Sequence, residues 1–251
     1  MTIPRSWGRS VLGAGHHRAR LSVILMICGL IAMAGGIGWS IGAYTTKDDF
    51  NAEAYARQRI PVINAKMRDT APGFILFAGD SHIDLYRQPS ALCGRDTVNA
   101  GLSGTNSEVY ATALEQLTFP HKTTLAALTI GTNDLLRKRK PDSESCKANI
   151  ERILNTFEGK ADLVVATAIP PINEQLARYF NLDAIESYST TLAGVCARFE
   201  RCIYQDPYKD LRHAEEFGLA KPGVMADGLH AKSYRDIYER LPLCRRLSAA
   251  Q

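Results

Sequence analysis

From residue 73 to residue 205 the chain repeats one pattern: a short, mostly apolar run, a few small polar residues, then a stretch with helical periodicity. Runs suited to buried strands lie at Gly73–Phe77, around Asp96–Asn99, at Leu125–Ile130 and at Leu163–Thr167, with a weaker one at Cys202–Gln205. Helical patterns occupy Ser107–Leu117, Ser143–Phe157, Leu176–Phe199 with a break, and Ala231–Leu241. Short runs without polar alternation are the mark of strands buried on both faces. Their regular exchange with helices predicts a parallel sheet covered by helices on each side. The 45% hydrophobic and 22% charged residues are ordinary globular values and exclude a disordered or collagen-like chain.

Ahead of this pattern stands Leu21–Ala43, "LSVILMICGLIAMAGGIGWSIGA", 23 residues without a formal charge. As a helix it would span roughly 30 Å of hydrocarbon. A cleaved signal peptide has an apolar core of about 7–15 residues, so a retained anchor is expected, although Ser40-Ile41-Gly42 offers small residues for cleavage. Arg5, Arg9, Arg18 and Arg20 precede the span, which orients the N-terminus inside by the bias of basic residues toward the cytoplasm. The expected organisation is a basic cytoplasmic N-terminus over 1–20 and a transmembrane signal-anchor helix over 21–43. A helical membrane-proximal spacer over 44–70, interrupted near Pro61, then leads into one α/β domain over 71–245. The location that follows is a cell inner membrane, single-pass, with that domain in the periplasm or outside.

The net charge of +4 lies in that N-terminus: of 30 Lys and Arg, four fall within residues 1–20, leaving 26 against 26 acids. A balanced body has no footprint for nucleic acid. Beyond the span are Cys93, Cys146, Cys196, Cys202 and Cys244. An oxidising compartment favours disulfides among them, but an odd number leaves one over and spacing does not assign the pairs. There is no Cys-x-x-Cys and no His at zinc-ligand intervals, so no metal is expected.

In open parallel sheets ligands gather beyond the carboxyl ends of the strands. The strand exits read Gly79-Asp80-Ser81-His82, Asn99 to Gly104 and Gly131-Thr132-Asn133-Asp134; before the final helical pattern comes Asp227-Gly228-Leu229-His230. A serine hydroxyl becomes a nucleophile when a base takes its proton and a third group holds that base. His230 is the candidate base for Ser81, and Asp227, three residues earlier, can reach the other imidazole nitrogen. The backbone N–H groups of Ser81 and Gly104 and the side-chain amide of Asn133 are candidate donors to an oxyanion. Each feature alone also reads as a cap or a turn; four together at one sheet edge do not.

These blocks resemble the signatures of the SGNH, or GDSL-type, hydrolase superfamily, in order from residue 73 to 231. The resemblance implies a three-layer α/β/α sandwich of flavodoxin-like topology with a parallel sheet of about five strands. It implies catalytic Ser81, Asp227 and His230, an oxyanion hole of Ser81, Gly104 and Asn133, and neither metal nor organic cofactor. Asp80 and His82 are expected as substrate contacts. A Ser-His pair at the nucleophile is similar to domains associated with O-acetylation of surface polysaccharides. The expected activity is a serine esterase releasing small acyl groups, above all acetyl, from carbohydrate of the cell envelope. The alternatives are a polysaccharide O-acetyltransferase, a lysophospholipase or thioesterase walled by Ile172–Leu182 or Tyr204–Gly223, and a non-catalytic scaffold binding glycan or protein.

Overall fold

A computed structural model of the protein describes residues 50–140 and 142–249. The expected segments 1–20 and 21–43 lie outside the described residues. Among the described residues no helix is long and apolar enough to cross a membrane.

The sheet follows directly from the apolar runs. Strands β1 (Ile75–Gly79), β3 (Arg95–Gly101), β4 (Leu125–Thr129), β5 (Val164–Thr167) and β6 (Cys202–Gln205) run parallel to one another. A two-residue strand β2 (Ala91–Leu92) pairs antiparallel with β3, and the order across the sheet is β2-β3-β1-β4-β5-β6. Every residue of β1 and β4 is buried, which requires cover on both faces. Alternate side chains sort accordingly. Leu76, Ala78, Ala126 and Leu128 face one hydrophobic layer, whereas Ile75, Phe77, Leu125 and Ala127 face the other.

The first layer is built by α1 (Ala52–Arg68), α3 (Ser107–Glu115), α4 (Ser143–Phe157) and α5 (Ala184–Cys196), through residues such as Ile63, Tyr110, Ile153 and Leu192. The second holds α6 (Tyr234–Tyr238) and α7 (Leu243–Ala249), with Tyr208, Tyr234, Ile237 and Tyr238 against the sheet. Helix starts are set by side chains that satisfy the first free N–H groups. Asn51 accepts from Ala54 N at 2.9 Å, Asn106 from Val109 N at 3.1 Å, and Asp142 from Ser145 N at 3.1 Å.

The expected interruption near Pro61 is absent: α1 runs through it. Proline removes one N–H and displaces the preceding turn's carbonyl, but Arg57 and Pro61 are both on the exposed face. Water can satisfy that carbonyl, while buried Ile60 and Ile63 hold the helix to the core. The helical pattern from Leu176 starts late. Residues up to Asp183 form a loop tied to other loops by backbone hydrogen bonds, and α5 begins at Ala184. The final pattern shortens to α6, capped by Ser233.

Disulfides link Cys93 to Cys244 and Cys196 to Cys202, with Cα separations of 5.3 and 5.2 Å. The first fastens α7 to the β2–β3 turn; the second closes the α5–β6 connection. Cys146 is a buried free thiol.

Candidate active site

The edge formed by the carboxyl ends of β1, β3 and β4 depends on two close backbone approaches. Gly79 leaves β1 with φ 145°, and a Cβ there would sit 1.8 Å from the Thr129 carbonyl oxygen. Only glycine allows β1 to turn out while remaining against β4. At Gly101 a Cβ would lie 2.2 Å from the Asp84 nitrogen, so the short helix α2 (Ser81–Asp84) rests directly on the end of β3.

Asp80 caps α2, its Oδ1 accepting from His82 N at 3.0 Å, and Ser81 opens the helix with 7% of its surface exposed. Asn99, within β3 two residues before its end, clamps the far end. Its Nδ2 donates to the carbonyls of Ile83 (2.8 Å) and Tyr86 (3.0 Å), while its Oδ1 accepts from Gly101 N at 2.8 Å. Asp84 adds a second tie, accepting from Tyr55 of α1 at 2.7 Å and from the Ser103 hydroxyl. Neither Asn99 nor Asp84 was anticipated as a support. Asn99 stood in a strand exit that merited the question; nothing near Asp84 in sequence announces partners on α1 and the β3–α3 loop.

The turn before α6 supplies the other half. Ala226 N donates to the His230 carbonyl at 2.7 Å, closing a loop around Asp227, Gly228 and Leu229. One carboxylate does two jobs within it. Oδ1 of Asp227 accepts from the N–H groups of Leu229 (3.0 Å) and His230 (2.8 Å), and Oδ2 meets His230 Nδ1 at 2.7 Å. His230 Nε2 then lies 2.9 Å from Ser81 Oγ. A carboxylate only accepts, so Nδ1 carries the proton and Nε2 offers its lone pair to the Ser81 hydroxyl. Burial pushes the Asp227 carboxyl upward. The His230 side-chain bond, the two backbone donors and the His230 charge outweigh it and bring the pKa down to about 2.

Gly104 and Asn133 are drawn to one place. Gly104 has φ 73°, and the next residue, Thr105, accepts through its carbonyl from Asn133 Nδ2 at 3.0 Å. That bond uses one of two amide hydrogens, leaving the second. The loop is held to β1 by Leu102 N donating to the Gly79 carbonyl at 2.8 Å. The turn and loop hydrogen bonds of this edge use neither the Ser81 nor the Gly104 N–H.

Asp80 and His82 do not stand where substrate contacts would. Both have 0% of their surface exposed, because α2 turns their side chains under the edge while Ser81 remains on top. His82 Nδ1 is 3.0 Å from the Tyr234 hydroxyl, and its ring centre is 5.5 Å from that of His230. Burial, and then the charge of His230, push the His82 pKa down to about 3, so the ring is neutral. Burial drives Asp80 the other way, up to about 7, with the Asp134 charge adding and backbone donors from His82 and Thr132 opposing. Among the described residues no three or more His, Cys, Asp or Glu side chains are grouped to hold a metal ion.

This domain has the SGNH-type α/β fold with a mostly parallel sheet. The chain belongs to the GDSL-like lipase/acylhydrolase family, whose model matches residues 68–233 and so takes in the whole edge from Ser81 to His230. A Streptococcus pneumonia protein provisionally designated a platelet activating factor is 20% identical, with TM-score 0.63 over 78% of this chain and 95% of its own. A GDSL-like lipase from Bacteroides thetaiotaomicron is 16% identical, with TM-score 0.61 over 80% of this chain and 100% of its own. A lipase/acylhydrolase from Enterococcus faecalis is 17% identical, with TM-score 0.54 over 70% and 95%. Likeness at these identities bears on the fold alone. No curated protein sequence matches the chain.

Proposed function

We propose that the protein is a serine esterase that removes small acyl groups, above all acetyl, from carbohydrate of the cell envelope, acting outside the cytoplasmic membrane and anchored by residues 21–43. The observation that carries this reading is the unbroken hydrogen-bonded line from Ser81 Oγ through His230 to Asp227.

Ser81 Oγ attacks the acyl carbon as His230 Nε2 takes its proton, and the carbonyl electron pair moves onto oxygen. The N–H groups of Ser81 and Gly104 and the free Nδ2 hydrogen of Asn133 receive that oxyanion; each such donor is worth about 3 kcal/mol. When the tetrahedral adduct collapses, the alkoxide leaves with the proton from His230 and the acyl group stays on Ser81. Water, deprotonated by His230, attacks the acyl carbon, the bond to Ser81 Oγ breaks, and Oγ recovers the proton. Asp227 keeps Nδ1 protonated and stabilises the imidazolium in both halves.

Two further features support the finer points. Disulfides joining Cys93 to Cys244 and Cys196 to Cys202 fit an oxidising compartment. The aromatics that a long acyl chain would need along residues 204–223 are spent on packing. Tyr208 is fully buried and Phe217 lies under the Arg212 guanidinium at 3.7 Å. The test is burst kinetics of the full-length protein with 4-nitrophenyl acetate beside Ser81→Ala, with and without a sugar acceptor. Turnover in water that vanishes with Ser81 is the expected result. A burst that stalls until sugar is added makes the enzyme a transferase, and equal rates in the two proteins defeat the mechanism.

A further inference from the structure

One cluster of charge is not absorbed by this reading. Arg137-Lys138-Arg139-Lys140 follows the turn that carries Asn133, and all four side chains are exposed. Arg137 is four positions after Asn133, a reach of at most about 14 Å. Several basic side chains elsewhere on the body are paired: Arg152 with Glu115, Arg198 with Glu151, Arg240 with Asp210. Among the described residues none of the four in this run, nor Arg178, enters an ion pair. Of the acids that flank the run, Asp134 is turned inward onto Ser107, with bonds of 2.6 and 2.9 Å, and Asp142 caps α4, accepting from Glu144 N at 3.3 Å and Ser145 N at 3.1 Å. Arg139 shares a groove with Glu53 and Glu108 between α1 and α3, so the unbalanced charge rests on Arg137, Lys138, Lys140 and Arg178.

Arg178 joins the run through a strap, residues 173–181, laid across the edge. At one end Arg137 N donates to the Tyr179 carbonyl at 2.8 Å, Asn181 N to the Leu135 carbonyl at 2.9 Å, and Arg137 Nε to the Ala177 carbonyl at 2.8 Å. At the other end Asn173 N donates to the Gly228 carbonyl at 2.9 Å, and Gly228 is packed against Gln175 and Leu176. The strap therefore connects the Asn133 turn to the Asp227–His230 turn, and carries exposed Glu174 near one end and, near the basic run, the Arg178 guanidinium, 4.6 Å above the half-exposed Tyr179 ring. Basic groups thus stand on the segments that join the Asn133 turn to the Asp227–His230 turn.

Resting on the esterase reading, we infer that Arg137, Lys138, Lys140 and Arg178 form a subsite for an anionic glycan, one whose sugars carry carboxylates beside the ester that Ser81 attacks. Guanidinium and ammonium groups grip carboxylates by charge-assisted hydrogen bonds. A cluster of one sign beside the reacting centre also raises the local concentration of an oppositely charged substrate. A lipid surface is the poorer fit: interfacial binding needs an apolar edge beside the basic one, and the strap offers Tyr179 alone among the large exposed apolar side chains.

The test compares acetate release by the full-length protein from acetylated polygalacturonate and from acetylated glucomannan, which is neutral. The wild type should favour the acidic polymer through KM, and the preference should fade as salt rises from about 0.05 to 0.5 M and the Debye length shrinks. The double variant Lys138→Glu/Lys140→Glu should lose about 30-fold in kcat/KM on the acidic polymer, almost all in KM. Lys66→Glu, at the far end of α1, alters net charge in the same direction and should leave the preference intact. Equal KM values for both polymers in the wild type overturn the inference. So does a double variant that keeps the preference but loses the excess adhesion to phosphatidylglycerol over phosphatidylcholine vesicles, which makes the patch a membrane surface. Failure of the esterase reading looks different: acetate release from either polymer would survive Ser81→Ala.

Discussion

The two halves of the candidate site are built on opposite principles. Ser81 stands on a platform fixed from beneath by buried Asp80 and His82, by Asn99 behind α2, and by backbone pressed against backbone at Gly79 and Gly101. His230 hangs from a surface turn whose shape is dictated by one carboxylate, and the Asp227 side chain is 58% exposed. The nucleophile is placed by tertiary packing and the base by a local turn. The first half should fail all at once when disturbed, and the second by degrees.

The largest effect on activity should come from breaking the contact between the halves. Ser81→Ala and His230→Ala should each lower kcat by about 10⁴-fold or more, and the double variant by little more than either, because the pair acts as a unit. Single-turnover kinetics with 4-nitrophenyl acetate reads this. Additive losses would mean that the 2.9 Å bond between them does not operate.

Gly79→Ala attacks the platform alone. Its Cβ would meet a main-chain oxygen at 1.8 Å, which no rotamer change relieves, so the variant should lose about 4 kcal/mol or more of stability. Denaturant unfolding followed by circular dichroism measures it. A variant of wild-type stability would show that the β1 exit is not pinned to β4.

Asp227 tests the surface turn. In a buried triad, replacing the aspartate by asparagine costs about 10⁴-fold in kcat. Here the exposed carboxylate is screened by water, and Asp227→Asn should cost about 10²- to 10³-fold. Asp227→Ala should cost more, since it also removes the acceptor for the Leu229 and His230 N–H groups. Equal losses in the two variants would mean that charge matters and the turn does not.

That division also explains what the sequence discloses. Strands β1, β4, β5 and β6 and helix α4 are legible as local patterns of burial and capping, and the four polar blocks are legible because strand exits converge on one edge. The geometry joins Ser81, His230 and Asp227 by contacts that span 149 residues in one step and three in the other. Strand β2 left no trace, being two residues at an edge beside a cross-link to Cys244. The continuity of α1 through Pro61 depends on which face meets water, and the burial of Asp80 and His82 on how α2 sits over Gly101. Those are facts of packing, with no period to read.

The smallest effect is in the pH dependence of stability, and it separates the neighbours flanking Ser81. For Asp80 the folded pKa is raised from 3.8 to about 7. Between those values the folded protein holds a proton that the unfolded chain has released, so this group lowers stability as pH rises. For His82 the folded pKa is lowered from 6.5 to about 3. Between those values the unfolded chain holds the extra proton, so this group raises stability as pH rises. Across pH 4 to 6.5 the slopes are opposed, each at most about 1.4 kcal/mol per pH unit, and the two nearly cancel in the wild type. Asp80→Asn, keeping an acceptor for His82 N, should leave a stability that climbs over that range. His82→Asn should leave one that falls. Urea unfolding at intervals of pH, compared with the wild type, reads both slopes. Two variants with the same slope as the wild type would mean that Asp80 and His82 are not shut away from water, and the platform would then be no more rigid than the turn it serves.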